Sequence, residues 1–155
     1  MAADRAFAVV YHSRMDSDFA AALAGLAGSA FLSATLLPGG SEAVLVALVR
    51  HWPDRVALAI GVAGAANTLG GLTSFALGRF LPQPRTSGRA LALVQRYGVA
   101  ALLLSWLPVI GDALCVASGW LRHGWVPAAL AIGLGKIARY AAVAGAVLAW
   151  WPRAA

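Results

Sequence analysis

The chain has 155 residues, 61% hydrophobic and only 12% charged, with a net charge of +6 and a mean hydropathy of +0.76. A soluble domain carries about 25% charged residues, so this composition excludes an ordinary water-soluble globule and points to one all-α polytopic membrane domain. The single cysteine, Cys115, excludes an internal disulfide and a thiolate metal site.

Residues 1–18 form a polar N-terminal segment in which Asp4, Asp16 and Asp18 stand against Arg5 and Arg14. It has neither the positive start nor the short apolar core of a secretory signal. The membrane domain is therefore expected to run from 19 to 151. Its first block, 19–37, is uncharged and rich in Ala and Gly, and a shorter block, 38–49, contains Glu42. Block 56–78 holds 23 uncharged residues. At about 1.5 Å per residue that is enough to cross a hydrocarbon core of about 30 Å. Block 98–121 is interrupted by Pro108, Gly111 and Asp112, and block 125–151 carries Lys136 and Arg139 near its middle.

Two stretches answer each other. LPGGSEAVLV (37–46) and LPVIGDALCV (107–116) both open with Leu-Pro and place an acid four residues after the proline, at Glu42 and Asp112. Arg50-His51 then matches Arg122-His123, and Ala57-Leu58-Ala59-Ile60-Gly61 matches Ala129-Leu130-Ala131-Ile132-Gly133. The chain thus reads as two units, about 31–78 and 98–151, joined by a basic loop, 79–97. Each unit is an interrupted apolar segment, an Arg-His turn and a spanning helix. Pro38 and Pro108 disfavour helix before them, and glycines 39, 40 and 111 loosen the chain further. Broken backbone survives at membrane depth only inside protein or beside a wet cavity. Two re-entrant hairpins are expected, and the single spanning helix between them makes them enter from opposite faces as an inverted repeat. In the joining loop, Ser87 is placed to cap a short helix with Arg89 and Arg96 on one face, an amphipathic helix lying on the membrane surface. The arginine excess predicts that this loop is cytoplasmic.

Glu42, Asp112, Lys136 and Arg139 carry the chemistry. A charge at mid-helix costs about 2.5–3.5 kcal/mol, so four isolated ones would cost on the order of 10 kcal/mol. They must pair or meet water. Lys136 and Arg139, three residues apart, share a helix face, and all four are expected to converge on one polar cavity between the hairpin tips and the last helix. The plain reading is two salt bridges that lock the hairpins. The functional reading makes Glu42 and Asp112 a proton-coupling pair, with Lys136 and Arg139 binding phosphate.

The remaining candidates support that cavity. Ala66, Gly70, Ser74 and Gly78 recur every four residues, a stripe for close helix packing. Asn67 is the polar exception, expected to hydrogen-bond a broken hairpin backbone. Trp106, just before the second break, is expected to line the cavity. Tyr140 follows Arg139 and is grouped with Asn67, Pro38, Pro108 and Gly111 as hairpin and cavity support. The other tryptophans read as interfacial anchors. Ser41 and Ser105 read as local backbone partners rather than nucleophiles. His12, His51 and His123 lack metal-ligand spacing and read as headgroup-level residues. No acyl-transfer constellation, nucleotide loop or aromatic-basic run appears. No enzyme activity, cofactor, metal or nucleic-acid partner is therefore expected.

The stretches LPGGSEAVL, GAANTLGGLTSFALGR, SWLPVIGDALCVASGWLR and GKIARY resemble the YqaA branch of the DedA membrane family, also called VTT-domain or SNARE-associated proteins. The resemblance covers roughly 31–144. It implies a helical fold with two opposed re-entrant hairpins in the bacterial inner membrane. It also implies lipid carriage: flipping or scrambling of phospholipids or polyprenyl phosphate, with proton coupling and a role in membrane homeostasis. By that resemblance Glu42 matches the acid of the first hairpin, and Asp112 lies in the second hairpin motif. The chain departs where many relatives carry arginines flanking the second-hairpin proline, and Phe75 stands where a tyrosine often occurs. The expected function is movement of an anionic lipid or lipid-linked phosphate across the inner membrane. The rivals are a proton-coupled small-solute or ion transporter and a non-transporting scaffold. So short a chain encloses little volume, which suits a homodimer.

Overall fold

The computed structural model describes the backbone of residues 2–34, 40–82, 88–108 and 110–150, with side chains from Arg14 onward. Pro38, Gly39 and Ser87 lie outside the described residues. Among those described, every regular element is helical. The order is α1 (Ala2–Ser33), α2 (Ser41–His51), a 3₁₀ turn (Pro53–Arg55), α3 (Val56–Phe80), α4 (Arg89–Tyr97), a 3₁₀ arm (Gly98–Trp106), α5 (Ile110–Trp120) and α6 (Trp125–Trp150).

Length sorts these elements. With 25 and 26 residues, α3 and α6 reach about 38 Å, more than a hydrocarbon core needs. Both are long and apolar enough to cross a membrane. With 11 residues each, α2 and α5 reach only about 16 Å. The end of α3 meets the start of α6: Arg79 Nη1 donates to the His123 carbonyl at 2.8 Å, and Phe75 lies edge-on to Trp125 at 4.9 Å. At the opposite end, Phe19 of α1 lies edge-on to Trp52 at 5.5 Å, and Arg55 pairs with Asp16. The short helix α2 runs into the start of α3, and α5 runs into the start of α6. The two short helices therefore end at opposite ends of the molecule.

Two apolar clusters fill the interior. One joins Phe75, Leu102, Leu114 and Ile132, with Leu91 and Val94 of α4 beneath it. The other joins Leu26, Leu45, Val49, Ala63 and Tyr140. Glycine allows the backbones to close up between them. A Cβ on Gly78 would lie 2.1 Å from the Val116 carbonyl oxygen, and one on Gly119 would lie 2.1 Å from that of Phe75. Helices α3 and α5 thus touch backbone to backbone, reciprocally, as small residues permit in membranes. Gly70 faces Ala34, and Ser74 Oγ donates to the Ala34 carbonyl at 3.4 Å. The small-residue stripe of α3 is a packing face, its middle against the end of α1 and Gly78 against α5.

The structure adds three local features. The polar segment 1–18 is helical from Ala2 and continuous with the rest of α1. Its Asp16, Ser17 and Asp18 point outward, and polar residues sustain a helix as long as their side chains stay in water. Hydropathy marks immersion, not helicity. The first arm of the second break is a nine-residue 3₁₀ coil, long for a form seldom exceeding 3–4 residues. Its narrow section lets the Leu103 carbonyl approach to 2.7 Å from where a Gly135 Cβ would sit. Helix α4 is amphipathic as expected, but Leu91 and Val94 are buried against protein, so it is docked on the bundle. Its N-cap is Gly88, with no side-chain cap.

Candidate functional site

The second break begins where Pro108 follows the 3₁₀ arm. The Gly111 N–H bonds to the Leu107 carbonyl at 3.0 Å, and the Ile110 N–H to that of Pro108 at 2.7 Å. A Cβ on Gly111 would stand 2.4 Å from the Ser105 carbonyl oxygen, so this turn needs glycine. The result is to set Asp112 in the first turn of α5, where a helix N-terminus favours a carboxylate. Glu42 occupies the same place in α2.

Helix α6 supplies the counter-charges. Lys136, only 3% exposed, brings Nζ to 3.5 Å from Asp112 Oδ1. One turn on, the Arg139 guanidinium pairs with Glu42. One face of one helix thus neutralises the acid of each short helix. The four charged residues singled out from sequence meet as two ion pairs along α6.

A neutral network lies beside the Glu42 pair. Ser41 Oγ and Tyr140 Oη are 2.9 Å apart, Asn67 Nδ2 donates to Tyr140 Oη at 2.7 Å, and Ser33 Oγ donates to Ser41 Oγ at 3.1 Å. Asn67 Nδ2 also reaches Ser33 Oγ at 3.4 Å. These bonds tie the end of α1 and the start of α2 to α3 and α6. Tyr140 is fully buried, as an anchor for such a network must be.

Asn67 donates to the hydroxyls of Tyr140 and Ser33, while the backbone at 35–39 lies outside the described residues. One sequence expectation is corrected here. Ser41 and Ser105 were expected to bond local backbone. Ser41 bonds side chains, and Ser105 Oγ donates to the distant Ile132 carbonyl at 3.4 Å, because each faces a neighbouring helix packed closely against it. Pro108 sits exposed at the break, and Trp106 is also exposed and enters neither ion pair. Pro38 falls outside the described residues. Sequence reasoning missed Ser33 and Gly135. Gly135 abuts both the Leu103 carbonyl and Ser105 Oγ; its position immediately before Lys136 was the available signal. Among the described residues, no three His, Cys, Asp or Glu side chains group closely enough for a metal.

Two helices long and apolar enough to cross a membrane, and two short helices whose first-turn acids pair with α6, are features of a helical membrane protein. No family model matches the chain, and no solved structure matches it. Known proteins do. "Inner membrane protein YqaA" of Escherichia coli K12 is 46% identical over 138 residues, covering 85% of this chain and 97% of that protein. The protein of the same name from Shigella flexneri matches to the same extent. An uncharacterized protein of Haemophilus influenzae is 46% identical over 127 residues, covering 74% of this chain and 80% of that one. The chain belongs to the YqaA family of inner membrane proteins.

Proposed function

We propose that this protein moves or rearranges an anionic lipid, or a lipid-linked phosphate, across the inner membrane. The observation that carries the reading is the placement of Lys136 and Arg139 on one face of α6, each against the acid that opens a short helix. In this reading the arms flanking each break are re-entrant hairpins, one from each face, related as an inverted repeat. Their tips meet beside α6 near the midplane. Buried ionisable residues in a bilayer are functional by default because their insertion is costly. A phosphate can replace either carboxylate as the partner of Arg139 or Lys136; Arg139 offers a planar fork and Lys136 a point charge. Protonation of Glu42 or Asp112 releases its base to the phosphate, which couples a proton to lipid movement. The arginines of loop 79–97 set that loop in the cytoplasm.

The test is reconstitution into liposomes with fluorescent anionic lipid in one leaflet, with and without a pH gradient. Wild type moves the label, while Glu42→Gln, Asp112→Asn and Arg139→Ala move it much more slowly. Folded wild type that moves no lipid under either condition overturns the proposal. Variants as fast as wild type would reduce the ion pairs to braces.

A further inference from the structure

A second charged cluster stands apart from the α6 ion pairs, at the end of the molecule where α3 begins. Between α1 and the turn that joins α2 to α3 lies a cavity of about 250 Å³, whose lining includes Met15, Asp16, His51, Trp52, Asp54 and Arg55. Its walls are held in place by ring contacts and an ion pair. Trp52 lies edge-on to Phe19 at 5.5 Å, and its ring centre is 5.5 Å from that of His51. Arg55 Nη2 donates to Asp16 Oδ1 at 2.5 Å, and its guanidinium stands 4.7 Å from the Phe19 ring centroid. Arg55 is thereby committed within the protein. Asp54 adds an exposed carboxylate to the same lining. The volume lies below the about 300–1,000 Å³ of drug-sized sites, so it suits a small group. Asp16, His51 and Asp54 do not come close enough together to hold a metal ion.

We infer that this cavity binds an organic ammonium group. Such a cation is held by a carboxylate and an aromatic ring together. Asp54 supplies the opposing charge, and Trp52 supplies the ring whose quadrupole attracts cations best among the aromatic side chains. A phosphate would have to draw Arg55 away from Asp16 and would meet two carboxylates, so the lining favours the cation. A bare metal ion needs ligands closer together than these; an ammonium with its alkyl substituents is wider and tolerates the spacing. The cavity opens at the end of a membrane-length helix, where headgroups and water meet. The ammonium therefore belongs to a lipid headgroup or to a small amine in solution. The assignment stands apart from lipid movement, because the Glu42–Arg139 and Lys136–Asp112 pairs lie outside this lining.

The test reads binding at Trp52 itself. The full chain, isotopically labelled for NMR in maltoside micelles, has six tryptophans, and Trp52→Phe identifies which indole N–H resonance belongs to Trp52. Choline chloride is titrated in, against sodium chloride at equal ionic strength. The Trp52 resonance is expected to shift saturably with choline and not with sodium. Asp54→Asn weakens the choline response by about three- to fivefold, the worth of one exposed ion pair. Asp18→Asn, on α1 but outside the cavity lining, leaves it unchanged. A second arm compares discs of phosphatidylglycerol with discs that also contain phosphatidylcholine. With a lipid headgroup as the occupant, phosphatidylcholine moves the Trp52 resonance and blunts its response to free choline. With a soluble amine as the occupant, the two discs agree and only free choline moves it. Either result supports the site and names the source. The assignment is overturned by no saturable shift with choline or phosphatidylcholine, or by an equal shift with sodium. It is also overturned by a choline response that survives Asp54→Asn while the remaining indole resonances keep their positions.

Discussion

Replacing Arg139 with Gln leaves Glu42 facing no cation at the start of α2. Breaking a buried pair by removing one partner costs about 3–5 kcal/mol, because the remaining charge stays desolvated. Here the side chains of Arg139 and Glu42 are 17% and 22% exposed, so water reaches part of the pair, and about 2–3 kcal/mol is expected after that screening. For a chain of this size each kcal/mol moves the melting temperature by about 2–4 °C, giving a fall of roughly 5–10 °C. Glu42→Gln alone leaves the guanidinium unpaired and lowers Tm in the same way. The double variant removes both charges, and its loss is expected to be smaller than the sum of the singles, with a coupling of about 1–2 kcal/mol. The assay is thermal unfolding in detergent followed by helical circular dichroism. Single variants that melt with the wild type, or a double whose loss equals the sum, would refute the pairing of these two helices through this bridge.

The α3–α5 contact is the least forgiving part of the packing. Gly119→Ala and Gly78→Ala each drive a methyl group to 2.1 Å from a backbone oxygen. Each should cost about 1–3 kcal/mol, even though alanine is the better helix former by about 1 kcal/mol; yield and Tm report it. By contrast Gly61→Ala, whose Cβ meets nothing within 4 Å, should leave stability unchanged or slightly raised. Tyr140→Phe keeps the ring in its cluster but strips the partner shared by Ser41 and Asn67, and about 1–3 kcal/mol of stability should go with it in the same melt. Asp16→Asn breaks an exposed pair with Arg55 and should change stability by less than about 1 kcal/mol, with the effect fading in high salt.

Much of this protein is legible one segment at a time. The apolar runs of α3 and α6, the break at Pro108-Gly111 and the acid in the first turn of each short helix depend on residues adjacent in sequence, and local chain chemistry settles them. The stripe Ala66-Gly70-Ser74-Gly78 announces a close contact for the same reason, since a four-residue spacing repeats on one helix face. Partner choice is a different matter. Two acids and two bases allow more than one pairing, and only the rotation of α6 between α2 and α5 gives Arg139 to Glu42 and Lys136 to Asp112. Ser41 and Tyr140 meet across 99 residues of sequence. The 3₁₀ coil of 98–106 follows from its fit against Gly135, and the helical start of α1 needs no apolar signature. Sequence by itself determined which segments are apolar, that the second one breaks at Pro108 and which charges they carry. The tertiary structure alone decided which charges and hydroxyls touch, because that depends on helix crossings set by distant glycines and carbonyls packed backbone against backbone.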